Sequence, residues 1–99
     1  MIRNAKALES AGADIVLLEC IPSELGQRIT QALTVPVIGI GAGPHTDGQI
    51  LVLYDILDIA PGKRTRFSKN YMQGAASIHA AIEQYVREVK TAAFPTADF

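Results

Sequence analysis

The chain has 99 residues, 48% of them hydrophobic and 19% charged, with a formal net charge of −1. That length suits one domain with one core, and that composition excludes disorder as a whole-chain description. The charge gives no reason to expect a nucleic-acid or membrane-surface partner, and no run approaches the ~18 apolar residues that span a bilayer.

Cys20 is the only cysteine, so no internal disulfide exists and a reduced, cytoplasmic setting is the expectation. The opening Met1-Ile2-Arg3-Asn4-Ala5-Lys6 lacks the apolar core of a signal peptide.

Residues 1–12 read as the end of a helix, with Ala5, Ala7, Leu8 and Ala11 as its apolar face and Gly12 as its stop. Met1 stands inside a helix already in progress. Asp14–Cys20 reads as a strand buried on both faces, because four aliphatic residues (Ile15, Val16, Leu17, Leu18) run together. The carboxylate of Glu19 follows them directly. Pro22 then suits the first turn of a helix, capped by Ser23 or by the turn itself, with Leu25, Ile29, Ala32 and Leu33 as one buried stripe. Pro36 ends that helix near Thr34 and opens a second buried strand, 35–40. Strand, helix and strand over so short a stretch make a βαβ unit with parallel strands.

Gly39-Ile40-Gly41-Ala42-Gly43 leaves the backbone free to turn and to approach a neighbour closely. It is not a dinucleotide fingerprint, because no G-x-G-x-x-G precedes a helix. After the turn signal Asp47-Gly48, Gln49–Leu53 reads as a third strand and Tyr54–Leu57 as one helical turn. A helix over all of 47–57 is the competing reading. Residues 58–70 read as loop. Lys63, Arg64, Arg66 and Lys69 cluster there, as a solvated surface or as a dock for an anionic ligand tail or a neighbouring subunit. Gly74–Ala92 is a helix with Ile78, Ile82, Tyr85, Val86 and Val89 on one stripe and a Glu83–Arg87 pair off it. Phe94 and Phe99 are tail anchors.

This order gives an α/β chain with helices interleaved among parallel strands. Three strands with open edges are few for a parallel sheet, so the chain either assembles with others or is a piece of a larger barrel or sheet.

Glu19 closes its strand at the carboxyl end, where α/β proteins put catalytic groups. The structural alternative is a strand-end residue exposed to solvent, or a partner in an ion pair. Cys20 reads as a small packing residue rather than a nucleophile. His45 reads as a loop residue and His79 as a helix-surface residue. Asp14, Asp47, Asp55 and Asp58 have no metal-site spacing.

Several segments, in collinear order, resemble ketopantoate hydroxymethyltransferase. They are Ala7-Leu8-Glu9-Ser10-Ala11-Gly12-Ala13, Val16-Leu17-Leu18-Glu19-Cys20-Ile21-Pro22, Pro36–Gly43, Asp47–Val52 and Arg66–Tyr71. The resemblance continues to Phe94-Pro95 and is to the C-terminal part of the family only. It implies that residues 1–99 are the last three strands of a (β/α)₈ barrel of the phosphoenolpyruvate/pyruvate type, with Glu19 ending the sixth. It implies hydroxymethyl transfer from 5,10-methylenetetrahydrofolate to 3-methyl-2-oxobutanoate, giving ketopantoate in pantothenate biosynthesis. Glu19 then inherits the role of proton acceptor, with Leu18 and Ile21 expected to wall it with apolar surface. The resemblance further implies Mg²⁺, whose ligands lie on earlier strands absent from this chain, a keto acid and a folate as partners, and a homo-oligomer where the full barrel is present. It assigns no folate-binding residue to this chain, and the chain alone is expected to be inactive. Asp58 stands where the family usually has glycine, so a different loop conformation is expected there. The alternative from another class is a non-catalytic subunit or interaction module that pairs through its open sheet edges.

Overall fold

A computed structural model describes residues 1–62 and 65–96. The readings made for Lys63, Arg64 and Phe99 lie outside the described residues. The elements in chain order are α1 (Ile2–Ser10), β1 (Val16–Glu19), α2 (Ser23–Ala32), β2 (Val37–Ile40), β3 (Gly48–Gln49), α3 (Leu53–Ile56) and α4 (Ile78–Lys90). The three strands form one parallel sheet in the order β1-β2-β3.

Parallel register sets which side chains share a face. Val16 pairs with Val37, Leu17 with Ile38, Leu18 with Gly39 and Glu19 with Ile40. Side chains alternate along a strand. Val16, Leu18 and Val37 therefore point one way, and α1 and α2 cover them. Their cluster adds Ala5, Ile29, Leu33 and Ala42. Neither of these two helices covers the opposite face. Ile15 and Leu17 are 60% and 55% exposed there. The expectation of a strand buried on both faces fails for this reason: α1 and α2 cover one side of β1, whose residues alternate buried and exposed.

The α2 stripe holds, with Ile29 and Leu33 buried and Leu25 packed against them. Its start differs from expectation. Pro22 is the cap, in extended geometry, and Ser23 is the first helical residue with no side-chain capping bond. Gly26 is needed where α2 crosses the 41–43 loop: a Cβ there would stand 2.5 Å from the Ala42 carbonyl oxygen. Glu9 closes the opposite end of the unit. One oxygen of its carboxylate accepts from Thr34 N at 2.6 Å, Thr34 Oγ1 at 2.9 Å and Val35 N at 3.0 Å. The two backbone bonds first, and the hydroxyl with them, hold this carboxyl below its ordinary value of 4.5.

The third strand is shorter and earlier than Gln49–Leu53. Ile50 N still donates to Gly39 O at 3.0 Å. On the β3 side the register ends at Gly39 with Gln49, and Gly41 turns with φ 66. Residues 51–52 then lead into α3. Asp47 fixes the start of β3: its amide donates to Val37 O at 2.9 Å, and its Oδ2 accepts from Val37 N at 2.8 Å.

A second, separate cluster holds the other half. Ile56, Tyr71, Ala81 and Phe94 are buried, with Leu51, Leu57, Met72, Ala75, Tyr85 and Val89 packed around them. Tyr71, Tyr85 and Phe94 meet edge-to-face, with centroids 5.4, 5.9 and 6.2 Å apart. Phe94 is the tail anchor expected from the sequence. The final helix starts later than Gly74, because Ser77 caps it through a bond from Ala80 N at 3.0 Å. Its expected stripe splits in two. Ala81, Tyr85 and Val89 face the cluster, whereas Ile78, Ile82 and Val86 face outward. The Glu83–Arg87 pair is present at 3.5 Å, exposed.

Asp58 has φ 58, the left-handed geometry that glycine supplies most easily. The loop therefore takes a glycine-type conformation with an aspartate in it, and its Oδ2 accepts from Asn70 Nδ2 at 3.1 Å.

Two outcomes are expected. Gly26→Ala improves helix propensity by about 1 kcal/mol, yet the clash with Ala42 costs about 1–3 kcal/mol; urea unfolding will show net destabilisation. Glu9 has a lowered folded value, so the unfolded chain binds more protons through the acid range and stability falls with pH. That contribution is complete above the ordinary value of 4.5 and is lost as pH drops through the lowered one. Glu9→Gln flattens this part of the acid limb of a stability–pH curve.

Candidate active site at the carboxyl ends of the strands

Glu19 is the last residue of β1 and is exposed. It lies on the uncovered sheet face, in register with Ile40. Ile40 is buried without belonging to the cluster beneath the helices. The carboxylate also borders a shallow groove of about 230 Å³ along the free edge of β1, with Met1, Leu8, Leu17 and Ile21 among its walls. Leu18, whose side chain belongs to the cluster under the helices, also lines this groove. Ile21 borders it as well.

The turn after Glu19 is held by backbone. Cys20 N donates to Ile40 O at 2.9 Å and Ile21 N to Gly41 O at 3.1 Å, so the ladder continues past the strand. Cys20 itself has φ 54. This left-handed residue redirects the chain into Pro22 and α2, and it carries its thiol out to solvent. The expectation of a buried packing residue is therefore wrong. The reason is conformational: the turn uses the Cys20 backbone and leaves its side chain outside.

Gly41 meets a residue that sequence reasoning missed. Its φ is 66, and a Cβ on it would stand 2.8 Å from the ring of Phe67. Phe67 thus lies against Gly41, the residue that follows the carboxyl end of β2. The two residues are far apart in the chain and no spacing rule connects them. The segment carrying Phe67 is tied to α4. Glu88 Oε1 accepts from Tyr71 Oη at 2.8 Å and Lys69 Nζ at 2.9 Å, and Oε2 accepts from Gln84 at 2.8 Å. Burial opposes the charge of Glu88, but the bonds from Gln84, Lys69 and Tyr71 outweigh it and hold the carboxyl below its ordinary range. Burial first, and the Glu88 carboxylate second, push the Tyr71 hydroxyl up. Of the basic cluster, Lys69 is therefore an ion-pair partner, and Arg66 is exposed.

Among the described residues no three His, Cys, Asp or Glu side chains come together as a cation cage. Glu19 by itself does not fit Mg²⁺, which needs a carboxylate set with bound water or phosphate oxygens. Asp47 is spent on β2, and Asp58 bonds Asn70. His45 is an exposed loop residue. His79, also exposed, lies 3.0 Å from Glu83 on the surface of α4. Ala42 of the glycine-rich turn is buried against α2. No helix among the described residues is long and apolar enough to cross a membrane.

A carboxylate standing free at the carboxyl end of a parallel strand puts the chain with α/β proteins whose working groups occupy that rim. The family model for ketopantoate hydroxymethyltransferase matches residues 1–97. Over 97 residues the chain is 62% identical to the 3-methyl-2-oxobutanoate hydroxymethyltransferase of Alkalilimnicola ehrlichii, covering 98% of this chain and 35% of that protein. It is 52% identical over 98 residues to 3-methyl-2-oxobutanoate hydroxymethyltransferase 2 of Hahella chejuensis, and 51% to the Neisseria meningitidis enzyme of that name. In each case it covers 99% of this chain and 37% of the relative. The chain belongs to the ketopantoate hydroxymethyltransferase family, and it spans a little over a third of the length of these relatives.

The geometry at Cys20 has a direct test. A β-branched residue resists φ 54, so Cys20→Val lowers stability by about 1–2 kcal/mol. Cys20→Gly stays within about 0.5 kcal/mol of the parent. Equal losses in both variants, measured by urea unfolding, would assign Cys20 a packing role instead.

Proposed function

We propose that residues 1–99 supply the proton-accepting third of a ketopantoate hydroxymethyltransferase, a (β/α)₈ barrel of the phosphoenolpyruvate/pyruvate type in which these are the last three strands. The observation that carries this reading is Glu19: exposed, at a strand's carboxyl end, on the sheet face that α1 and α2 leave uncovered, in a chain of that family. The one-sided cover supports the barrel part. A barrel buries its inner strand faces against each other rather than under helices, and Leu17, Ile38 and Ile40 are suited to that role.

In the proposed reaction Glu19 takes the proton from the carbon beside the keto group of 3-methyl-2-oxobutanoate. The resulting carbon nucleophile bonds to the bridging carbon of 5,10-methylenetetrahydrofolate as one of its two C–N bonds breaks, and the proton taken by Glu19 passes to the freed nitrogen; water then displaces the second nitrogen, leaving its hydroxyl on the transferred carbon and its proton on tetrahydrofolate, so that ketopantoate is released. A positioned base of this kind contributes about 10²–10⁴-fold to rate. Mg²⁺, which the family reading pairs with this chemistry, is assigned to residues outside 1–99.

The second reading is an interaction module, favoured by the free edge of β1 and the exposed Ile15 and Leu17. Sedimentation separates the two uses of that edge. Pairing through it gives concentration-dependent dimers or larger species, and a strict monomer up to high concentration counts against it.

The decisive experiment for the enzyme reading is a graft. Residues 1–97 replace the matching third of the Alkalilimnicola ehrlichii relative, and turnover of keto acid with methylenetetrahydrofolate and Mg²⁺ is measured. The graft is expected to be active, and Glu19→Gln within it to lose about 10²–10⁴-fold in kcat. A graft whose turnover ignores that substitution would sink the assignment. The 99-residue chain alone is expected to show no turnover.

A further inference from the structure

The corner that follows Glu19 departs from a plain strand end. Val16 N donates to Pro36 O at 3.0 Å and Cys20 N to Ile40 O at 2.9 Å. Along a parallel strand every second amide faces the same neighbour, so the next one due to face β2 is that of residue 22. Residue 22 is proline and has no amide hydrogen. Ile21 N takes its place and donates to Gly41 O at 3.1 Å. Two successive amides therefore meet two successive carbonyls. An extended residue at position 20 would turn the Ile21 amide away from β2, whereas φ 54 at Cys20 turns it inward.

The receiving side is the glycine-rich turn. Gly41 and Gly43 have φ 66 and 82. Ala42 is buried, and a Cβ on Gly43 would overlap Ser23, the first residue of α2. Residues 20–23 are thus seated closely on residues 40–43. Among the described residues no side chain bonds the Glu19 carboxylate, so its direction is set by the main chain that carries it. That main chain is held at Glu19 by register with Ile40 and directly after it by Cys20 N. The Cys20 thiol is exposed, and the corner uses the backbone alone. A non-glycine residue in left-handed geometry is strained, and such strain persists where the surroundings impose it, above all at functional sites.

We infer that Cys20 is a positioning residue for Glu19: its left-handed backbone, seated on the 40–43 turn, aims the carboxylate, and its thiol takes no part. The glycine-rich turn supplies the seat, with no side chain of Gly41 or Gly43 in the way. This role rests on the reading of Glu19 as a base. A base moved by about 1 Å from its productive place loses up to about 10²-fold in rate.

Two measurements test it. The first uses the 99-residue chain, labelled with ¹⁵N and ¹³C, and reads the scalar coupling across individual hydrogen bonds. Val at position 20 resists φ 54, whereas Asn tolerates it. The Ile21–Gly41 coupling is expected in the parent and in Cys20→Asn and is lost in Cys20→Val, while the Val16–Pro36 coupling survives in all three. Survival of the Ile21–Gly41 coupling in Cys20→Val overturns the inference, and so does joint loss of both couplings, which marks general loosening of β1.

The second uses the graft into the Alkalilimnicola ehrlichii relative. Exchange of the hydrogen beside the keto group with solvent deuterium, with Mg²⁺ and without folate, reads the proton transfer alone. Cys20→Val is expected to lose about tenfold to hundredfold in kcat per folded molecule, with KM within about threefold. Cys20→Asn, the conservative variant, stays within about threefold in both. A merely structural role lowers the folded fraction and leaves kcat per folded molecule unchanged, and that result overturns the inference. Equal losses in Cys20→Asn and Cys20→Val also overturn it, because they assign the effect to the thiol. Glu19→Gln in the same graft separates the two readings. Undiminished exchange in Glu19→Gln removes the base and this role with it; loss in Glu19→Gln beside full exchange in Cys20→Val removes the positioning role alone. Should the graft not fold, the couplings in the 99-residue chain still decide whether Cys20 holds the corner.

Discussion

Cover on one side of a pleated sheet is the constraint from which the rest follows. Register pairs Val16 with Val37 and Glu19 with Ile40, and alternation then allows no freedom. If Val16 and Leu18 face α1 and α2, Leu17 and Glu19 must face away. A slip of one residue would drive the carboxylate into the helix layer and Leu18 out of it. Burying a charge without a partner is far costlier than exposing a leucine. The apolar pattern and the position of the carboxylate thus enforce one register between them. The exposure of Glu19 and the exposure of Leu17 are two results of one choice.

The fixtures around this unit act on backbone groups that the strands and helices leave over. Glu9 takes the amides at the α2–β2 junction, Asp47 takes the first amide of β2, and Ser77 takes an amide in the first turn of α4. None of the three carries chemistry. Gly26 and Gly41 do the complementary work by omission, since each lets a neighbour sit where a Cβ would be. The carboxyl-end rim is therefore shaped by what is missing from two glycines as much as by the side chains present.

Sequence reading found what local pattern encodes. The α2 stripe, the parallel βαβ order and the terminal place of Glu19 follow from spacing and from runs of aliphatic residues. Four features were not legible, for identifiable reasons. The aliphatic run of β1 suggested burial on both faces, yet a run looks the same whether its second face is covered by this chain or by something else. The α4 residues Ile78, Ile82, Tyr85, Val86 and Val89 form adjacent lines on a helix, and periodicity alone does not say which line turns inward. Cys20 and Asp58 sit at left-handed φ values that their residue types only weakly advertise. Contacts such as Phe67 on Gly41, or Glu88 with Lys69 and Tyr71, join residues that only the tertiary path brings together. The resemblance to a family led to the right family. It drew on several motifs in register, which single-residue arguments do not use.

The two apolar clusters do not interleave along the chain. One is built wholly from residues between Ile2 and Ala42, the other wholly from residues between Leu51 and Phe94. For a chain emerging from a ribosome this ordering has a kinetic meaning. The first cluster has all its members available before Ile56 has been synthesised, and its most distant partners close only a modest loop. The strand that ends in Glu19 can thus find its register while the later half of the chain is still unmade. Errors in the later half then arise against a template already set, instead of competing with its formation.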